Sequence, residues 1–142
     1  METEERFNAI EECYEFMLAY AAQGLPSDKG SGSAGQVREF LNRAANALNG
    51  LAESCTTTVR NEGLDPAKKY QPFLDVLDRD ARDSLAAIQM VLAQTEISSQ
   101  LVDNLNASIH LRALLTDLFL VDEVLKTQRR AEDLVAAIPT GR

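Results

Sequence analysis

The chain has 142 residues, of which 45% are hydrophobic and 25% charged. That balance supports one ordinary buried core and excludes wholesale disorder, a collagen or a disulfide-stapled miniprotein. Fourteen basic residues against 22 acidic ones leave a formal charge of −8. The basic residues are scattered, so the chain lacks the phosphate-neutralising face that nucleic-acid binding requires.

The first helix is predicted from Thr3 to Gln23, with Phe7, Ile10, Tyr14, Met17, Leu18 and Ala21 at three- and four-residue steps. Glu4 and Glu5 suit its positive N-terminus, while Gly24 and Pro26 close it. The stretch 25–35, LPSDKGSGSAG, reads as a flexible Gly/Ser-rich connection.

A second helix is predicted from about Ala34 to Asn61 on the stripe Val37, Phe40, Leu41, Ala44, Leu48, Leu51, Ala52, Cys55 and Val59. Asn46, Asn49 and Gly50 lower its propensity without ending it. Asn61-Glu62-Gly63 stops it, a short turn follows over 66–71, and Pro72 sits where a proline starts the next helix. That third helix, about Gln71 to Gln94, repeats Phe73, Leu77, Ala81, Leu85, Ile88 and Leu92, with Asp75, Asp78, Arg79, Asp80, Arg82 and Asp83 on its outward side.

Ser98 or Ser99 caps the last and most apolar helix. Its apolar residues, Leu101, Leu105, Ile109, Leu115, Phe119 and Val124 with Val102, Leu111, Leu114, Leu118, Leu120 and Val121, occupy more than one face. Unbroken to Ile138 it would span roughly 60 Å, so an overhang, kink or fold-back is expected near Lys126 to Arg130. The reading is one all-α domain over 1–142, an up-down four-helix bundle with a long C-terminal helix or an extension over 127–142.

Little catalytic chemistry is legible. A di-iron bundle needs Glu-x-x-His pairs, yet the single histidine, His110, has Ala107 three positions before it. No CxxCH haem attachment, G-x-S-x-G elbow or Walker loop occurs. Cys13 and Cys55 have no metal-ligand spacing and read as small buried hydrophobes, a disulfide between them being the alternative. Asp117 inside the most apolar helix is costly unless exposed, paired with a base from another helix, or bound to a hard cation.

Two apolar features exceed what a bundle core needs: the surface around Leu114, Leu118, Val121 and Leu125, and the terminal group Leu134, Val135 and Ile138. The expected function is therefore a non-enzymatic helical interaction protein, an adaptor, assembly factor or regulatory subunit, forming a homodimer through those residues or using them to bind a protein partner. The alternative is a small-ligand or metal site between the helices, lined by Tyr14, Met17, Phe40, Phe119 and His110. No cofactor, nucleic acid or membrane partner is expected. An acidic N-terminus without a signal-peptide pattern, and the lack of any apolar run of roughly 18–20 residues, read as cytoplasmic.

Overall fold

Glycine at position 50 and serine at position 108 break two helices that the apolar spacing runs straight through. The computed structural model describes residues 1–30 and 32–137. They form six α-helices: α1 (Thr3–Ala22), α2 (Val37–Leu48), α3 (Leu51–Asn61), α4 (Gln71–Leu92), α5 (Ser99–Ala107) and α6 (Ile109–Ala137). A 3-10 turn (Gly32–Gln36) leads into α2 and a π turn (Pro66–Tyr70) into α4; there is no strand among the described residues. Of the stretch 25–35, Ser31 lies outside the described residues, as do residues 138–142 of the expected extension.

The break between α2 and α3 is a correction to the single helix expected over 34–61. Gly50 takes φ +86, a left-handed conformation that a Cβ disfavours. The carbonyls freed there are capped from α1. Arg6 Nη1 donates to Ala47 O at 2.9 Å and to Asn49 O at 2.7 Å. At the second break Ser108 is extended, with ψ 146, and ends α5. Its hydroxyl then accepts from Leu111 N at 3.3 Å, which caps the start of α6.

Helix α1 packs against α2 and α3 on one side and α5 on the other, while α4 packs against α2, α3, α5 and α6. Met17, Tyr20, Val37, Leu41, Leu51, Cys55, Leu77, Ile88, Val102, Leu114 and Leu118 fill the shared core. Each leucine so placed contributes roughly 2 kcal/mol of apolar burial. Helix α6 meets the rest of the molecule chiefly through α4. Its 29 residues reach about 43 Å, and after Leu125 the helix runs on almost wholly exposed to Ala137. The overhang expected near Lys126 to Arg130 is thus present, and the kink lies instead at Ser108.

One end of the molecule is closed by a polar cluster. Ser99 Oγ donates to Tyr20 O at 2.6 Å and accepts from Leu25 N at 2.9 Å, while Ser99 N donates to Leu25 O at 2.8 Å. Tyr20 Oη donates to Ile97 O at 2.6 Å. Asp28 accepts from Ile97 N at 2.8 Å and from Arg38 Nε at 2.7 Å. Arg38 spends its other N–H groups on Leu92 O, Gln94 O and Thr95 O at the end of α4. Of the two serines expected to cap the last helix, Ser98 does so, through Leu101 N; Ser99 is buried in the cluster.

Two substitutions test this frame. Ser99→Ala orphans the Leu25 N–H and the second bond to Tyr20 O, and is expected to cost about 2 kcal/mol, read as a lower urea midpoint. Gly50→Ala meets no close atom other than the Arg6 guanidinium, 3.7 Å away. It is expected to cost about 1 kcal/mol through backbone conformation alone, measured the same way.

Candidate functional site

Helix α6 has apolar residues on nearly every side, so periodicity alone does not set which of them face inward. Packing against α4 buries Leu111, Leu114, Leu115, Leu118, Val121 and Leu125. This corrects the expected contact surface. Leu114 and Leu118 are core residues without exposure, and Val121 and Leu125 are buried as well. The residues left outside are Ile109, Phe119, Leu120, Val124, Leu134 and Val135. Leu134 and Val135, from the second expected group, stand 70% and 68% exposed on the overhang. Ile138 lies outside the described residues.

The inter-helix ligand pocket is not assembled. Met17 is deep in the core, and Tyr14 and Phe40 are half-buried against it. Phe40 instead stacks on Phe16 with centroids 4.3 Å apart, and the Arg43 guanidinium lies 5.9 Å from its ring. Phe119 and His110 point to solvent on α6. Ser108 is the physical reason for His110: the break resets the helix phase, so only the His110 carbonyl engages the core side, accepting from Ser84 Oγ at 3.0 Å.

A different concavity is present where α4 and α6 diverge. An apolar groove of about 300 Å³ is lined by Val59 of α3, Lys69 and Tyr70 of the π turn, Phe73 and Leu74 of α4, and Leu120, Val121, Val124 and Leu125 of α6. Lys69 is the charged side chain among the described residues of that lining. The apolar spacing places Val124 in the main stripe of the last helix and Leu120 among its companions, and gives 66–71 only as a short turn. The signal that was available is the surplus: a helix has more apolar residues than one neighbouring helix can cover.

Further along the same seam, Asp117 of α6 is only 6% exposed, and its Oδ2 has no hydrogen-bond partner. It is neither exposed nor paired with a base, as sequence reading expected. Its neighbour across the seam is the carboxyl group of Asp80, a residue that the α4 pattern assigned to the outward side and that is in fact half-buried. Burial first, and then the hydrogen-bonded Asp80 charge, push the Asp117 carboxyl up to about 7. No group of three or more His, Cys, Asp and Glu side chains with metal-site geometry occurs among the described residues.

Both cysteines are free and buried. Burial pushes each thiol up to about 12, outweighing Arg43 near Cys13 and Arg6 near Cys55, so neither supplies a thiolate at neutral pH. No described helix is long and apolar enough to cross a membrane. Compared with protein-family models, curated proteins and solved structures, the chain gives no significant match.

The Asp80–Asp117 pair makes stability depend on pH in a defined sense. Asp117 holds its proton more tightly folded than unfolded, so its site is least costly below the unfolded carboxylate range near 3.8. That advantage is lost as pH rises through about 7. Asp117→Asn removes the charge and gives Asp80 an amide donor. It is expected to raise the melting temperature at pH 8 by a few degrees, roughly 3 °C or more, and to leave it nearly unchanged at pH 3, below the unfolded carboxylate range. Differential scanning calorimetry at the two pH values checks this.

Proposed function

We propose that this chain is a non-enzymatic helical interaction protein that takes an amphipathic helix into the groove between α4 and α6. In this reading the bent pairs α2–α3 and α5–α6 each act as one arm, and with α1 and α4 make the four arms of an up-down bundle. The neighbour relations support it, since each arm packs on the next and α5 returns to α1. Buried free thiols at Cys13 and Cys55 are in keeping with a reducing, cytoplasmic setting.

The observation that carries the reading is the groove itself. It is apolar, about 300 Å³ in volume, and flanked by Leu120, 52% exposed, and Val124, 41% exposed. Small-molecule pockets span roughly 300–1,000 Å³ and enclose most of their ligand. A volume at that lower limit, opening on an exposed helix face, suits two or three side chains of a docked helix better. Charge narrows the partner further. Lys68 and Lys69 make no ion pair among the described residues, so the occupant is a helix whose apolar side is flanked by acids. Lys69 then sets orientation and encounter rate more than affinity.

The test is fluorescence anisotropy with a labelled synthetic helix of leucines flanked by glutamates. Binding in the micromolar range is expected. Leu120→Asp or Val124→Asp should weaken it at least about tenfold, and Lys69→Glu should weaken it several-fold at low salt and less at high salt. Both apolar positions are exposed, so the substitutions leave the core intact. A peptide that fails to bind the chain as a monomer, or that binds the Asp variants equally well, overturns the reading.

A further inference from the structure

We infer that the occupant of the groove is the C-terminal overhang of α6 from a second copy of this chain, the two copies exchanging overhangs about a two-fold axis. The inference rests on the groove reading above and names its partner.

The overhang is the part of α6 that nothing in the chain covers among the described residues. From Lys126 to Ala137 the helix is exposed on nearly every side. Its base is tied to the body by one ion pair, Arg129 Nε to Glu62 at the end of α3 at 2.7 Å, while Arg130 Nη2 pairs within α6 with Glu123 at 3.5 Å. Beyond Arg130 no side-chain hydrogen bond or ion pair to the body holds it among the described residues. A helical stretch of that length is marginal in water when nothing packs against it, and this one carries Leu134 and Val135 into solvent. It needs a covering surface.

The groove and the overhang match each other in pattern. Leu120, Val124, Ala131, Leu134 and Val135 fall at helical steps along one side of α6. The apolar wall of the groove therefore continues in line into the apolar side of the overhang. A chain cannot fold its own overhang back, because α6 is one continuous helix through that region. Two copies of α6 laid antiparallel, with position 129 opposite 129, set Leu134 of each against Val124 of the other.

Charge agrees. Glu132 and Asp133 flank the apolar pair and make no ion pair among the described residues. The acid-flanked helix that the groove calls for is thus present in the chain's own sequence.

The experiment has two parts, both on the full chain. Sedimentation equilibrium at 10–100 μM, roughly the range in which modest interfaces self-associate, is expected to give a dimer. Leu134→Asp with Val135→Asp should give a monomer whose unfolding midpoint, read at a concentration too low for association, matches that of the wild type. Cross-linking with a short bismaleimide then reads the register. Val124→Cys chains mixed with Leu134→Cys chains should cross-link to each other. Leu134→Cys alone should not, its two positions lying about 15 Å apart along the helices. Native Cys13 and Cys55 are buried and stay silent.

A wild-type monomer throughout that range overturns the inference, as does a dimer in which 134-to-134 cross-links dominate. The acidic peptide of the preceding assay, applied to the Leu134→Asp, Val135→Asp variant, separates this failure from the other. Binding to a chain that does not dimerise removes only the second copy as occupant. Failure to bind removes the groove reading too.

Discussion

Ser99 sits where four segments of this chain must meet, and its hydroxyl and amide satisfy backbone groups from two of them. The constraint is general: a buried N–H or C=O left without a partner costs as much as a lost hydrogen bond. The connection from α1 to α2 crosses the turn from α4 to α5, which crowds several unpaired backbone groups into one place. Ser99, Tyr20, Asp28 and Arg38 answer them in turn. Burial by itself would raise the Asp28 carboxyl, but the Ile97 amide and the Arg38 guanidinium outweigh it and hold the group below its ordinary value. Asp28 thus remains charged where its charge is needed, and the ends of α1, α4 and α5 are fixed relative to each other.

With that end closed, the rest of the architecture depends on where the long helices bend. Gly50 and Ser108 each divide an arm, and an element from elsewhere in the chain covers the exposed ends. Arg6 reaches from α1 to the end of α2, and Thr3 Oγ1 contacts Ser54 and Thr58 on α3. Two arginines, Arg6 and Arg38, therefore perform the same task at two helix C-termini, where carbonyls lack intrahelical partners and cations are favoured. The bend at Ser108 has the larger consequence. It rotates α6 so that Leu114 and Leu118 enter the core while Phe119, Leu120 and Val124 remain outside. The apolar surplus is thereby gathered beside α4 and along the overhang.

That rotation also explains the acid pair. Asp117 lies one turn before Val121, on the flank of α6 that faces α4, and Asp80 approaches it from the other helix. A seam that closed only by apolar contact would exclude both carboxyl groups. This one holds the Asp117 proton into the neutral range instead.

Local sequence determined which segments are helical and most of their ends. The Gly24 stop, a serine cap at 98 or 99, a turn over 66–71 and the start near Pro72 were all readable, because caps and prolines act through backbone chemistry within a few residues. Helix length against the length of its neighbours left an overhang, a kink or a fold-back near Lys126 to Arg130, and the packing of α6 takes the overhang. Tertiary structure alone decided the side of α6 that turns inward, the partner of Asp117 and the outer faces of Phe119 and His110. A helix apolar on all sides has no intrinsic inside, and a single break shifts its phase for every residue that follows. The bends themselves fell between the two regimes. Asn49-Gly50 is visible as a weak point and Ser108 is not marked by the apolar spacing, and either becomes a bend only when another element, here Arg6 or Ser84, satisfies the backbone groups it frees.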